Sequence, residues 1–174
     1  MIQKDNKLRV LHLFFEKPTH GFSLREIERV GKLGLPSVRR YMDELYHSDF
    51  VVRKKVHHMT LWYAHRENQR FKRYLRFYNI EKLYESGLID YINKELSYPT
   101  IILFGSCAKG ENIETSDIDI YVQSPEKKLD VSFYEKKLGT IQVFVHRTLR
   151  DIKNKNLVNN IINGIALEGF LEVV

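Results

Sequence analysis

Between Leu103 and Gly110 the chain reads Leu-Phe-Gly-Ser-Cys-Ala-Lys-Gly, and after a polar loop it continues Ser-Asp-Ile-Asp-Ile from Ser116 to Ile120. Gly105 follows an apolar run that spells a strand, and a glycine there lets the backbone approach a bulky anion closely. Ser106 opens a short helix, where unpaired N–H groups favour a phosphate and the hydroxyl can donate a hydrogen bond to one of its oxygens. Lys109 or Gly110 is expected to border the same pocket. Asp117 and Asp119 stand two apart on the next strand, so both carboxylates face one way while Ile118 and Ile120 face the core. Like charges so close repel unless a cation lies between them. Mg2+ or Mn2+ suits such a place, because these hard ions take carboxylate and phosphate oxygens together. A metal clamp beside a phosphate cradle is the equipment for in-line phosphoryl or nucleotidyl transfer.

This ordered constellation resembles the DNA polymerase beta-like nucleotidyltransferase superfamily, and its minimal nucleotidyltransferases in particular. The resemblance covers residues 97–147 and rests on a Gly-Ser pair, ten intervening residues and Asp-x-Asp: Gly105, Ser106, Asp117 and Asp119. It implies a nucleoside triphosphate donor bound by Gly105, Ser106 and Lys109. It also implies Asp117 and Asp119 as catalytic metal ligands, two metal ions, and transfer of a nucleoside monophosphate to an acceptor. The family draws a third carboxylate from a later strand. Here that strand reads Thr140-Ile141-Gln142-Val143-Phe144-Val145, and the third-acid position falls on Gln142. An amide has the shape of the acid without its charge or basicity, which weakens the second metal and slows activation of the nucleophile. Asp130 and Glu135 are the other acids within reach in sequence. His146 shares the strand face of Gln142 but lies four residues on.

Three functions stay open. The domain transfers nucleotides with a borrowed acid or slowly; or it senses a nucleotide without turnover and reports to a promoter; or it is an antitoxin-like partner, since minimal nucleotidyltransferases are often paired with a small helical protein.

The elements that must position these residues can be read along the chain. Thr100–Phe104 spells a strand, Gly105–Lys109 a helical turn, Asp117–Val122 an alternating strand, residues 131–138 a helix and Ile141–Val145 another strand. Residues 148–154 and 156–167 read as helices, and Gly169–Val173 as a last strand. The fold class expected is α+β: a nucleotidyltransferase fold over residues 97–174, with a mixed sheet flanked by helices.

Upstream, residues 4–16 place Leu8, Leu11, Phe14 and Phe15 at helical spacing. Ser23 with Glu26 forms a capping-box pattern before a helix carrying Leu24, Ile27 and Val30 inward. Pro36 starts a third helix that runs to about His47 with Val38, Tyr41, Met42 and Leu45 inward. Phe50–Val56 and Thr60–His65 pair as a hairpin with its tip near His57-His58-Met59. Helix, helix-turn-helix and hairpin resemble a winged helix-turn-helix domain over residues 1–66. The resemblance implies contact with double-stranded DNA through Lys32, Ser37, Arg39 and Arg40 on and before the recognition helix, and through Arg53, Lys54 and Lys55 on the wing. Residues 67–96 read as helical, breaking near Asn79 or Gly87, and serve as a linker between the domains. The first helix or this stretch would provide a homodimer interface.

Bulk properties agree with this division. The 174 residues carry a net charge of +6, with +7 on residues 1–98 and −1 on residues 99–174, so the basic half is the one suited to a polyanion. A single cysteine excludes an internal disulfide and suits a reducing compartment. No apolar run approaches the ~20 residues that cross a bilayer, and Met1–Asp5 lacks a secretory pattern, so a cytoplasmic protein without a membrane partner is expected.

Overall fold

The structure, a computed structural model, describes residues 5–125 and 127–171. It divides into two compact units, residues 1–75 and residues 76–174.

In the first unit, α1 (Asn6–Glu16) is capped by Asp5, whose carboxylate accepts hydrogen bonds from the backbone N–H groups of Lys7 and Leu8. It buries Val10, Leu11, Phe14 and Phe15, whereas Leu8, expected on that stripe, is exposed. The apolar arc is centred one position round from the reading that included Leu8. α2 (Leu24–Gly31) is capped by Ser23, whose hydroxyl accepts from the Glu26 N–H. The Glu26 carboxylate does not complete the box; it meets His20 at 3.0 Å. Ile27 is fully buried, but Val30 is about half exposed, because only one face of this two-turn helix meets the core. α3 (Leu35–His47) has Pro36 in its first turn and buries Val38, Met42 and Leu45, with Tyr41 partly covered.

β1 (Val51–Val56) and β2 (Met59–Ala64) form an antiparallel hairpin with Val56 opposite Met59, so the tip is His57-His58. Phe22 adds a single antiparallel bridge to Trp62, each backbone N–H donating to the other's C=O at 2.8 Å. This ties the turn between α1 and α2 to the hairpin, and Phe14 meets Phe22 edge-on at 5.0 Å beneath it.

Residues 67–96 do not stand apart as a linker. α4 (Gln69–Ser86) runs unbroken through Asn79, and the division between units falls inside it, after Leu75. The break is at Gly87, whose φ of 81° starts α5 (Leu88–Leu96).

The second unit is built on a four-stranded mixed sheet in the order β5-β4-β3-β6. β3 (Thr100–Phe104) lies between β4 (Ile118–Gln123) and β6 (Ile165–Glu168), antiparallel to both, and β4 pairs in parallel with β5 (Ile141–His146). α6 (Gly105–Lys109) follows β3 directly, and α7 (Ser132–Leu138) lies in the crossover from β4 to β5. One sheet face presents Ile101, Leu103, Ile120 and Val122 to Leu83, Leu88, Ile89 and Ile92 of α4 and α5. The other presents Ile102, Phe104 and Tyr121 to α8 (Lys155–Ile162) through Ile161. Being covered on both sides explains why β3 reads as a continuous apolar run.

The C-terminal elements differ from expectation. Of residues 148–154 only Leu149–Asp151 form a 3-10 turn. The helix expected over 156–167 stops at Ile162, and Ile165–Glu168 is a strand. Gly164 makes the reversal possible: a β-carbon there would lie 2.6 Å from the Leu103 carbonyl oxygen. The strand expected over Gly169–Val173 is absent from its described part, residues 169–171, and residues 172–173 lie outside the described residues. Among the described residues no helix is long and apolar enough to cross a membrane.

At Gly87 a β-carbon would meet nothing within 4 Å, so only the left-handed backbone resists substitution. Gly87→Ala is expected to cost about 1–2 kcal/mol, measured by urea denaturation. An unchanged midpoint would mean that α4 and α5 do not need this conformation.

Candidate active site

The Asp-x-Asp segment straddles the start of a strand. Asp117 immediately precedes β4 and Asp119 is its second residue, both half-buried. Asp119 pairs in register with Phe104 on one side and with Gln142 on the other. Residue 105 adopts a φ of 71°, and a β-carbon there would collide with Asp119 Oδ2. Glycine is therefore required twice over, for its backbone angle and for the space the Asp119 carboxylate occupies. Burial, and then the charge of Asp117, push the Asp119 carboxyl above its ordinary range. As an anion Asp119 is thus destabilised where it stands, which is the condition a bound cation would relieve.

Gln142 is exposed on β5, and its amide nitrogen donates to Asp117 Oδ2 at 2.6 Å. β5 lies beside β4 with Gln142 in register with Asp119, and the amide turns its donor toward the Asp117 carboxylate. The other two acids are engaged elsewhere. Asp130 accepts from the Ser132 N–H and hydroxyl at 3.1 and 2.7 Å, which hold its pKa low. Glu135 accepts from the Ile141 N–H at 3.1 Å. Among the described residues no group of three His, Cys, Asp or Glu side chains is placed to hold a metal. A divalent cation would draw on the carboxylates of Asp117 and Asp119, and among the described residues no third acid stands with them.

Ser106 is half-buried at the start of α6, and Lys109 is exposed on its last turn. Cys107 is buried between them, with its thiol directed at the Asp117 carbonyl at 3.6 Å. Burial and then the charge of Asp119 push that thiol up to about 11, so the helix start does not activate it.

A reading of the sequence alone passed over two residues of α4. The Asn79 amide donates to the Cys107 carbonyl at 2.9 Å and to Asn112 Oδ1 at 2.8 Å, tying the turn after β3 to the loop that leads to Asp117. Lys82, one turn further on, is half-buried and close enough for its charge to act on the Cys107 thiol. The signal available was a helix-disfavouring asparagine inside an otherwise strong helical pattern.

On the first unit the basic residues separate. Arg39 is exposed on α3 with no ion pair among the described residues. Arg40 lies over the Tyr41 ring at 4.9 Å, donates to its hydroxyl at 3.2 Å and approaches Glu44 at 3.9 Å. Lys32 is the left-handed cap of α2 and Ser37 is half-buried in α3. Strand alternation splits the wing residues: Arg53 stands over the Tyr46 ring of α3, whereas Lys54 stands over Tyr63 on the other face, and Lys55 follows Arg53.

A mixed four-stranded sheet carries a glycine turn after β3 and two carboxylates at the head of β4, the arrangement that the sequence likeness to nucleotidyltransferases calls for. In agreement, residues 86–163 match the family described as Nucleotidyltransferase domain. The match takes in α5, which sequence reading had assigned to the linker. No curated protein matches the chain.

Because its thiol stays protonated well above neutral pH, Cys107 should react with iodoacetamide at pH 8 far more slowly in the native protein than in urea. Equal rates, followed by mass spectrometry, would show that the residue is not held as described.

Proposed function

We propose that the second unit binds a nucleoside triphosphate with Mg2+ or Mn2+ and transfers its nucleoside monophosphate to an acceptor. The observation that carries this reading is the Asp119 carboxylate seated against Gly105 beside Asp117, with its anionic form disfavoured. In this reading the Gly105–Ser106 turn holds the triphosphate, with Lys109 at its border. A divalent cation supplies charge neutralisation for the phosphate and the two carboxylates. An acceptor oxygen forms a bond to the α-phosphorus, the α–β phosphoanhydride bond breaks, and pyrophosphate leaves with the bonding pair. The acceptor's proton passes to solvent, since no carboxylate stands at position 142.

A second reading is favoured by the hydrogen bond from Gln142 to Asp117. The amide already quenches part of the carboxylate charge and has no basicity, which suits a domain that holds a nucleotide and turns it over slowly or not at all. The first unit supplies such a sensor with an output. Its helix, helix-turn-helix and hairpin order supports a winged helix that docks α3 in a DNA major groove, with Arg39 free for a base or phosphate and Arg53 and Lys55 on the wing.

Asp117→Asn is expected to abolish Mg2+-dependent nucleotide binding in calorimetry, and an unaffected affinity would remove Asp117 from the site. Gln142→Asp should raise transfer of radiolabelled nucleotide at least tenfold if the missing acid limits the reaction. An active wild type that Gln142→Asp does not improve would show that the acid is supplied elsewhere. For the first unit, DNA affinity should fall steeply between 50 and 200 mM salt, as phosphate contacts require, and Arg39→Ala should weaken it. A salt-independent interaction would argue for a protein partner instead.

A further inference from the structure

We propose that α4 contributes a binding residue to this site: Lys82, as a ligand for the phosphates of the bound nucleotide. The inference rests on the reading that the Gly105–Ser106 turn seats a triphosphate. It departs from the sequence reading of residues 67–96 as a structural linker.

The geometry begins with Asn79. Its amide nitrogen holds both the Cys107 carbonyl and Asn112 Oδ1, which fixes this stretch of α4 against α6 and the loop that follows. Lys82 lies three residues on, and in a helix positions i and i+3 share a face. The same side of α4 that grips the turn through Asn79 therefore carries Lys82 toward it. The neighbouring Ile80 and Leu83 pack into the core under the sheet, so the helix is not free to roll away.

Lys82 is half-buried, yet it has no hydrogen bond or ion pair among the described residues. All three of its N–H donors are therefore available to a bound anion. Cys107, whose carbonyl Asn79 holds, directly follows Ser106, so the helix face shared by Asn79 and Lys82 borders the Gly105–Ser106 turn. At the site itself, Asp117 is engaged by Gln142 and Asp119 is set against Gly105. A phosphate oxygen on the Gly105–Ser106 turn is the anion this arrangement lacks. A lysine binds phosphate as a point charge on a flexible stem, so it would select for the number of phosphates rather than for the base.

The test measures affinity against phosphate number. The magnesium complexes of ATP, CTP, GTP and UTP are titrated by calorimetry into the full chain, and the tightest is compared with its monophosphate. Lys82→Met should weaken the triphosphate about tenfold or more, the size of one charge-assisted contact. It should leave the monophosphate within about twofold and the thermal midpoint unchanged, and Lys82→Arg should restore most of the loss. Equal affinity of Lys82→Met and wild type for the triphosphate overturns the role of Lys82 while leaving the nucleotide site in place. An equal loss for triphosphate and monophosphate also overturns it, because that is the signature of a displaced helix. Failure of the wild type to bind any of the four triphosphates removes the proposed function itself, and this inference with it.

Discussion

The mutual repulsion of Asp117 and Asp119 is the constraint around which the second unit is arranged. One residue separates them, both are half removed from water, and burial together with the charge of Asp117 raises the cost of ionising Asp119. The fold does not relieve this by moving them apart. It sets Asp119 into the space left by the missing side chain of residue 105 and gives Asp117 the amide of Gln142. Both devices depend on sheet register. Phe104 opposite Asp119 brings Gly105 to the carboxylate, and Asp119 opposite Gln142 brings the amide to its neighbour. A slip of one residue in either pairing would turn one of these groups to the opposite face.

Two covered faces make that register secure. β3 is buried on both sides, so its partners cannot shift without exposing Ile101 and Leu103 on one face or Ile102 and Phe104 on the other. The parallel pairing of β4 with β5 is less local, since the crossover through α7 must close before Gln142 can meet Asp117. The same sheet leaves the Tyr121 hydroxyl buried without a partner and, through burial and then the Asp151 charge, pushes it up to about 12.

Much of this was legible in the residues. The strands and helices from Thr100 to Val145 were placed to within a residue or two, because alternation, a strand-end glycine and polar loops agree there. Gln142, singled out through the family's pattern of a third acid on a later strand, is the residue in register with Asp119. The C-terminal segment misled for a physical reason. Ile161, Ile162 and Ile165 fit helical spacing as well as they fit a helix followed by a strand, and the turn at Asn163-Gly164 decides between them only through its approach to the Leu103 backbone. Leu8 and Val30 were misplaced because short helices leave room for a rotation of the apolar arc. Asn79 was marked only by being a poor helix former inside a helix, and nothing local named its partners 28 and 33 residues on, so neither it nor Lys82 was placed at the turn.

The place of Gln142 has a consequence for how such a domain can change its activity. β5 is the outermost strand of the sheet, and residue 142 is exposed upon it, touching little besides Asp117. Exchange between amide and acid at that point removes no core contact and creates no cavity. What the exchange alters is charge alone: an acid at residue 142 would give up the hydrogen bond to Asp117 and set a third carboxylate beside the pair, so the electrostatics of the site can change there while the packing of the sheet stays as it is.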